Sequence, residues 1–112
     1  MSEVLARQRE VAIGKLEQIP PGEGRAFEVG EIMVAVFRTR AGEIYASQPN
    51  CPHRAGPLAD GMLGGRTIMC PLHDRLYDLA SGKEIGGDCA IATYPIRRET
   101  DGTLFLTVPA DP

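Results

Sequence analysis

The sequence of 112 residues lacks the features that mark several common functional classes. It has 12 Lys and Arg against 15 Asp and Glu, so no excess of basic charge supports binding to nucleic acid. The first ten residues, MSEVLARQRE, contain no apolar run and therefore form neither a signal peptide nor a membrane anchor. No Gly-x-Gly-x-x-Gly motif follows a strand-like segment, which argues against a nicotinamide or flavin site. We expect a cytoplasmic protein with no nucleic-acid or membrane partner.

A sustained helical periodicity is also missing, whereas 13 Gly and 9 Pro supply many turns. This balance favours short strands over long helices. The length suits one domain, which we place at residues 10–112 after a flexible N-terminal leader at 1–9. The fold class predicted from the sequence is all-β.

Individual strands can be placed by alternation and by turn residues. Residues 10–19 predict a first strand, and 25–48 predict strand, turn, strand, turn, strand, with turns at Gly30 and at Gly42. Residues 32–37 are apolar on both faces, which indicates a central strand. Residues 66–70 and 75–79 predict short strands, and 81–87 a loop. A final hairpin is predicted from 90–98 and 103–108.

Both histidines of the chain and two of its three cysteines lie within residues 51–74. They form two pairs, Cys51 with His53 and Cys70 with His73, each in a loop that proline stiffens. Cysteines of a cytoplasmic protein are more often ligands than disulfide halves, and such spacing lets each pair converge on one centre. The residues predict a metal site. Two thiolates and two imidazoles suit either a tetrahedral zinc ion, in a structural domain without redox traffic, or a [2Fe-2S] cluster.

Each loop contributes one cysteine and one histidine, whereas zinc fingers usually pair like with like. The segments CPHRAGPL and CPLHDRLYDLASG resemble the two ligand boxes of Rieske proteins, and the resemblance covers roughly residues 10–109. It implies an antiparallel β-sandwich with a cluster-binding subdomain at about 49–79. It also implies one [2Fe-2S] cluster per chain, with Cys51 and Cys70 on one iron and His53 and His73 on the other.

The same resemblance bears on the redox potential. An oxidised cluster with two thiolates and two neutral imidazoles has no net charge, which places Rieske potentials at roughly −150 to +300 mV, against about −400 mV for plant-type ferredoxins. High-potential members have a loop disulfide and a serine near a sulfide, where this chain has Gly56, Leu72 and Arg75. Tyr77 matches their tyrosine that bonds a cysteine sulfur. We therefore expect a low-potential site.

Two leucines are predicted to lie around the cluster. Leu58 and Leu72 are predicted to cap it and keep it dry, although simple packing of the loops explains them equally well. Cys89 opens an apolar segment and is predicted to pack in the core or at its edge. Arg97 and Arg98 are predicted to form an exposed strand end.

Nothing in the sequence supplies a catalytic site once both histidines are ligands, because no nucleophile pair or mononuclear iron site remains. The expected function is one-electron transfer between proteins. The boxes, and the tail DCAIATYPIR, resemble the small subunit of NAD(P)H-dependent nitrite reductase, which implies a large FAD and siroheme partner that reduces nitrite to ammonia. The alternative is a soluble Rieske ferredoxin of ring-hydroxylating oxygenases. Those ferredoxins more typically read Cys-Thr-His and Cys-Pro-Leu-His-Gly-Gly.

Overall fold

The computed structural model describes residues 8–52, 56–71 and 75–109. Within these ranges the chain forms ten strands and two short 3₁₀ helices, Leu16–Gln18 and Leu58–Asp60, and it has no helix long and apolar enough to cross a membrane. The strands make three antiparallel sheets, which confirms the all-β prediction. The strands are β1 (Gln8–Lys15), β2 (Glu23–Val29), β3 (Ile32–Arg38), β4 (Ile44–Ser47), β5 (Met62–Gly64), β6 (Thr67–Met69), β7 (Leu76–Asp78), β8 (Thr93–Tyr94), β9 (Ile96–Arg98) and β10 (Thr103–Pro109).

The first sheet has the order β1-β10-β9 and joins the two ends of the described chain. β1 pairs with β10 from Gln8 opposite Pro109 to Lys15 opposite Thr103. β1 begins two residues before the predicted first strand, and it ends at Lys15 because the chain turns into a 3₁₀ helix there. The rest of the predicted leader lies outside the described residues.

The second sheet has the order β2-β3-β4-β8. Its first two turns are those predicted: Gly30 and Gly42 have φ angles of 63° and 95°, a left-handed conformation that glycine adopts without a steric penalty. β3 lies inside the sheet, as its apolar residues predicted. Successive side chains of a strand point to opposite faces, and both faces of β3 are covered at residues 34–37, whereas Ile32 and Met33 are exposed.

The two faces of β3 belong to two different hydrophobic cores. Val34 and Val36 point into one, and Ala35 and Phe37 point into the other, and all four are fully buried. The first core lies between the first two sheets and consists of Leu16, Ile19, Phe27, Val29, Val34, Val36, Ala46, Leu104, Leu106 and Val108. The second core consists of Ala35, Phe37, Cys51, Leu58, Ile68, Cys70, Tyr77, Leu79 and Ile91.

The prediction of one strand over 90–98 is wrong, because Pro95 divides it. Thr93–Tyr94 pair with β4 in the second sheet, and Ile96–Arg98 pair with β10 in the first. Proline has no N–H to donate, so it interrupts a ladder, while its carbonyl still accepts from the N–H of Thr107 at 2.9 Å. The predicted hairpin between β9 and β10 is confirmed, so one segment connects the two sheets.

The third sheet, β5-β6-β7, contains strands of only three residues each. β6 and β7 were predicted, and β5 was not, since three residues with an exposed Met62 show no usable alternation. Ile68 and Tyr77 are opposite each other in this sheet and both point into the second core. The sheet therefore places Cys70, which follows β6, beside that core.

Candidate metal centre

Cys51 and Cys70, the two cysteines predicted to be ligands, lie in the same core. Each is 2% exposed and belongs to the second core, with aliphatic side chains such as Leu58 and Ile68 around them. Cys51 follows β4, and Cys70 follows β6 directly. Two strands from different sheets thus deliver two thiols to one dry environment.

The loops that start at these cysteines close in the same way. The N–H of Cys51 donates to the carbonyl of Gly56 at 2.8 Å, and the N–H of Cys70 donates to the carbonyl of Arg75 at 2.9 Å. The first loop is also closed by the N–H of Leu58, which donates to the carbonyl of Pro49 at 2.9 Å. In both loops the cysteine is the first residue of a segment whose two ends are joined by a backbone hydrogen bond. This bond fixes the backbone of the cysteine.

His53, Leu72 and His73 lie outside the described residues, as do Arg54 and Asp74. Within residues 8–52, 56–71 and 75–109, no group of three or more His, Cys, Asp or Glu side chains is placed to hold a metal ion. The described part of the site is therefore the thiol half of the predicted ligand set, and the imidazole half stays a prediction.

Tyr77 is fully buried beside the first of these thiols. Its hydroxyl oxygen is 3.5 Å from the Cys51 sulfur, a hydrogen-bonding distance for sulfur. Burial and, after it, the hydrogen bond to Cys51 raise the pKa of Tyr77 above its ordinary value, so the phenol keeps its proton. When Cys51 is a thiolate, which is the form that binds metals, the hydroxyl is the donor. This contact is the one that the sequence predicted for Tyr77.

Leu58 is also where the prediction of a dry site requires it. It is fully buried in the second core, at the start of the 3₁₀ helix that ends the first loop. Asp60, two residues later, is exposed. Leu58 thus lies in the same core as the two thiols, and its role in keeping the cluster dry stays a prediction beside simple loop packing.

Arg75, which replaces the serine of high-potential members, points its side chain away to Glu84. Its Nη1 is 2.8 Å from Glu84 Oε2, and the Glu84 side chain is only 7% exposed. Burial alone would raise the pKa of Glu84, but hydrogen bonds from the Cys89 N–H and from Arg75 outweigh it and lower that pKa. Sequence reasoning missed Glu84, because nothing in the predicted loop 81–87 indicates an ionised, buried carboxylate.

Cys89 packs against the second core and is half-buried, which confirms its predicted position. Burial, followed by the charge of Glu84, raises the pKa of its thiol. Arg97 is more than an exposed strand end, since it pairs with Glu10 and Glu99 and lies 4.7 Å above the Phe105 ring. These contacts belong to the first sheet and not to the metal site.

The described residues fit a centre that takes two thiolates. Two buried sulfurs from two closed loops supply soft ligands, and the Tyr77 hydroxyl donates toward one of them. Across the chain, residues 9–95 match the model of the Rieske [2Fe-2S] domain. The chain belongs to this family. Its cofactor is the Rieske [2Fe-2S] cluster and its chemistry is Rieske electron transfer, which answers the question left open between zinc and iron–sulfur.

Sequence relatives of this chain include dioxygenase ferredoxins and a nitrite reductase. The ferredoxin component of the naphthalene 1,2-dioxygenase/salicylate 5-hydroxylase systems of a Ralstonia species is 37% identical over 86 residues, which are 75% of this chain and 82% of the relative. The nitrite reductase [NAD(P)H] of Emericella nidulans is 34% identical over 91 residues, 71% of this chain but 8% of that much longer protein.

Similar solved structures confirm the Rieske fold. A Mycobacterium tuberculosis protein described as an NADH-dependent nitrite reductase small subunit superposes with a TM-score of 0.84 at 20% identity, covering 93% of this chain and 98% of its own. The ferredoxin of Sphingomonas yanoikuyae B1 superposes with a TM-score of 0.80 at 27% identity, covering 90% and 100%. The first likeness concerns the fold alone.

Proposed function

We propose that this chain is a one-electron carrier of the dioxygenase ferredoxin type, which takes electrons from a reductase and delivers them to a ring-hydroxylating oxygenase. The observation that carries the proposal is the 37% identity to a dioxygenase ferredoxin component over 82% of that relative's length. Similarity that extends over most of both chains supports a protein of the same type better than a match to 8% of a large enzyme does.

The proposed ligands are Cys51 and Cys70 on one iron and His53 and His73 on the other. When bound, the cluster accepts and releases one electron at a time. The chain holds it through two thiolates fixed at the starts of the closed loops, and Leu58 keeps water away from them. The region 49–79 is the proposed cluster-binding subdomain, and Ile91 completes its core.

The electron balance requires two protein partners. Each reduction of the carrier by one electron oxidises the reductase by one electron, and each reoxidation reduces the oxygenase by one electron. The chain itself forms and breaks no substrate bond, so the oxygenase supplies the catalytic site. Residues of this chain only bind the cluster, shield it and set its potential.

A low potential is part of the proposal. Gly56 and Leu72 stand where the loop disulfide of high-potential members would be, and the Arg75 side chain is bound to Glu84 instead of donating like their serine. The Tyr77 hydroxyl, 3.5 Å from the Cys51 sulfur, is placed to donate to a ligand sulfur. We expect a midpoint potential below about +100 mV, within the Rieske range.

A second candidate is the small subunit of NAD(P)H-dependent nitrite reductase. Residues 51–58, the acidic Asp74 and the tail at 88–97 resemble that family, and the Emericella nitrite reductase is 34% identical over 91 residues. In that case the acceptor would be a siroheme and FAD subunit. The two candidates share cluster, ligands and fold, and they differ in the partner.

The experiment that separates the two candidates therefore identifies the redox partner. The tagged chain would be purified from its native cells after growth on an aromatic carbon source and, separately, on nitrate. The co-purifying oxidoreductase would then be mixed with the dithionite-reduced carrier in a stopped-flow instrument. Reoxidation by a ring-hydroxylating oxygenase, seen as recovery of the visible absorbance, supports the ferredoxin proposal. Recovery of a siroheme flavoprotein that oxidises the carrier overturns it in favour of the second candidate.

A further inference from the structure

Arg75 has two roles at the end of the second loop. Its carbonyl accepts the N–H of Cys70 at 2.9 Å, which closes the loop 70–75. Its side chain leaves the loop and reaches Glu84, with Nη1 2.8 Å from Oε2. The same residue thus joins the backbone of a proposed ligand to a carboxylate nine positions later in the chain.

Glu84 is itself held firmly. Its Oε1 accepts the N–H of Cys89 at 3.1 Å, and its own N–H donates to the carbonyl of Cys89 at 2.9 Å. A Cβ added at Gly87 would lie 2.4 Å from the Glu84 carboxyl carbon, so a larger residue at this position would displace the carboxylate. The N–H of Ile85 donates to the carbonyl of Leu76, which ties the carboxylate's loop to β7.

Burial makes this pair differ from the surface ion pairs of the chain. The Glu84 side chain is 7% exposed, whereas the acidic partners in the pairs Lys15–Asp101 and Arg25–Glu23 are more than half exposed. Exposed pairs contribute little, but a carboxylate removed from water depends on its cation and its hydrogen bonds. Removing either partner therefore disturbs the segment to which the other belongs.

We propose that Glu84 is a positioning residue for the cluster: acting through Arg75, it holds the second ligand loop in its closed form. The inference rests on the proposed function to the extent that Cys70 and His73 are the ligands in that loop. It adds a residue that lies outside both ligand boxes. Partners of ligands typically change metal affinity by roughly 10- to 100-fold when they are mutated.

The chain offers a closely matched control in Asp78. This carboxylate also accepts from one arginine, Arg66 at 2.7 Å, and from one backbone N–H, that of Ser81 at 2.9 Å. It lies in β7, where Asp78 is opposite Thr67, whereas Leu76 at the other end of β7 is opposite Met69, next to Cys70. Glu84→Gln and Asp78→Asn thus remove the same charge and the same kinds of bond at different distances from the loop.

The test measures release of the cluster from the holoprotein. Iron is withdrawn by an excess of a chelator, and the decay of the visible absorbance gives the rate. We expect Glu84→Gln to lose the cluster roughly tenfold faster than the original chain, and Asp78→Asn to lose it at the original rate. The electron paramagnetic resonance spectrum of the reduced cluster should shift in Glu84→Gln and not in Asp78→Asn. Equal rates in Glu84→Gln and the original chain would overturn the proposal.

A double variant tests whether the effect passes through Arg75. In the Arg75→Gln background, Glu84→Gln should cause no further acceleration, because the link is already broken. A further tenfold acceleration there would show that Glu84 acts through the Cys89 segment instead, and it would refute the positioning role. If Glu84→Gln fails to fold, Arg75→Lys tests the same link, since lysine keeps the charge but not the planar donor group. Release at the original rate would then count against the proposal, and faster release would support it.

Failure of the underlying ligand assignment would be visible without any change at Glu84 or Arg75. If the original chain lacks a Rieske visible spectrum, or keeps that spectrum after His53 and His73 are both replaced, the proposed ligand set is wrong. If the original chain has that spectrum and Glu84→Gln leaves the release rate unchanged, only the role of Glu84 is refuted.

Discussion

The two cores of this chain are built on opposite faces of β3 and differ in what they require. The first core is aliphatic and aromatic and is enclosed by long strands, such as β2 and β10 with seven residues each. The second contains two thiols and a phenol and is bordered by strands of three residues. Because its strands are short and its side chains include polar groups, the second core gains less stabilising free energy from burial. It therefore needs additional bonds.

This difference separates stability from function in one small domain. Phe37 and Ala35 anchor the second core to the sandwich, while Val34 and Val36 on the same strand complete the first. The first core supplies a rigid wall, and the second supplies the sulfurs. We expect the cluster to be part of the stability of the second core and to be nearly irrelevant to that of the first.

The largest expected effect is a change in the second core that leaves the first core intact. Cys70→Ser should abolish the stoichiometric [2Fe-2S] cluster and leave β5, β6 and β7 open to hydrogen exchange, while β1 and β10 stay protected. Iron content and exchange mass spectrometry measure both effects. Cys89→Ser is the control, because Cys89 lies at the edge of the second core and outside both ligand boxes, so iron content should stay unchanged. Loss of protection throughout the chain would disprove the independence of the first core.

A change in the first core should have the converse result. Leu106 is fully buried there, and Leu106→Ala should cost about 2–5 kcal/mol of unfolding free energy through lost burial and a cavity. The midpoint potential of the folded holoprotein should not change, since the side chain belongs to the other core. Denaturant titration and protein-film voltammetry give the two numbers. A shifted potential would show that the cores are coupled.

Two glycines of the third sheet region give a sterically defined pair. A Cβ at Gly61 would lie 2.1 Å from the carbonyl oxygen of Met69, the residue before Cys70, whereas a Cβ at Gly64 would meet no heavy atom within 4 Å. Gly61→Ala should therefore displace β6 and cost about 1–3 kcal/mol, with faster cluster loss. Gly64→Ala should behave like the original chain. Equal chelator resistance in both variants would contradict this steric account.

A smaller effect is expected at the hydroxyl beside Cys51. Tyr77→Phe removes a donor 3.5 Å from the sulfur, which leaves the thiolate richer in electrons and favours the oxidised cluster. The midpoint potential should fall on the order of 40 mV, the equivalent of about 1 kcal/mol for one electron. A potential that stays constant or rises would mean that the contact does not persist with the cluster bound.

The smallest effect concerns an ion pair remote from the second core. The hydrogen bond from Arg97 lowers the pKa of Glu10, so the pair stabilises the fold above the unfolded pKa of about 4.3 and the contribution disappears as pH falls below it. In Glu10→Gln, the unfolding free energy, measured by denaturant titration, should fall less steeply below that pH. Glu28→Gln, at an exposed site of β2, is the control. If the unfolding free energy of Glu10→Gln fell with pH as steeply as that of the original chain, the Glu10–Arg97 pair would not contribute to the loss of stability in acid.

Much of this chain could be predicted because the signals were local. Alternation placed β3 in the interior, glycines marked the turns at 30 and 42, and two Cys/His pairs indicated the metal centre. Pro95 also indicates the break between β8 and β9, although the sequence pattern predicts one strand across it. A proline inside an apparent strand indicates an interruption or an edge of the sheet.

The sequence by itself determined where most strands and turns lie and how its cysteines and histidines are spaced, because periodicity and spacing are properties of neighbouring residues, and the resemblance of its two boxes to Rieske proteins indicated the cluster. Only the tertiary structure decided that the faces of β3 serve two cores, that the loops at Cys51 and Cys70 close alike, and that Arg75 meets Glu84. These contacts join segments that are separate in sequence. Their energies depend on burial, which exists only once the sheets have packed.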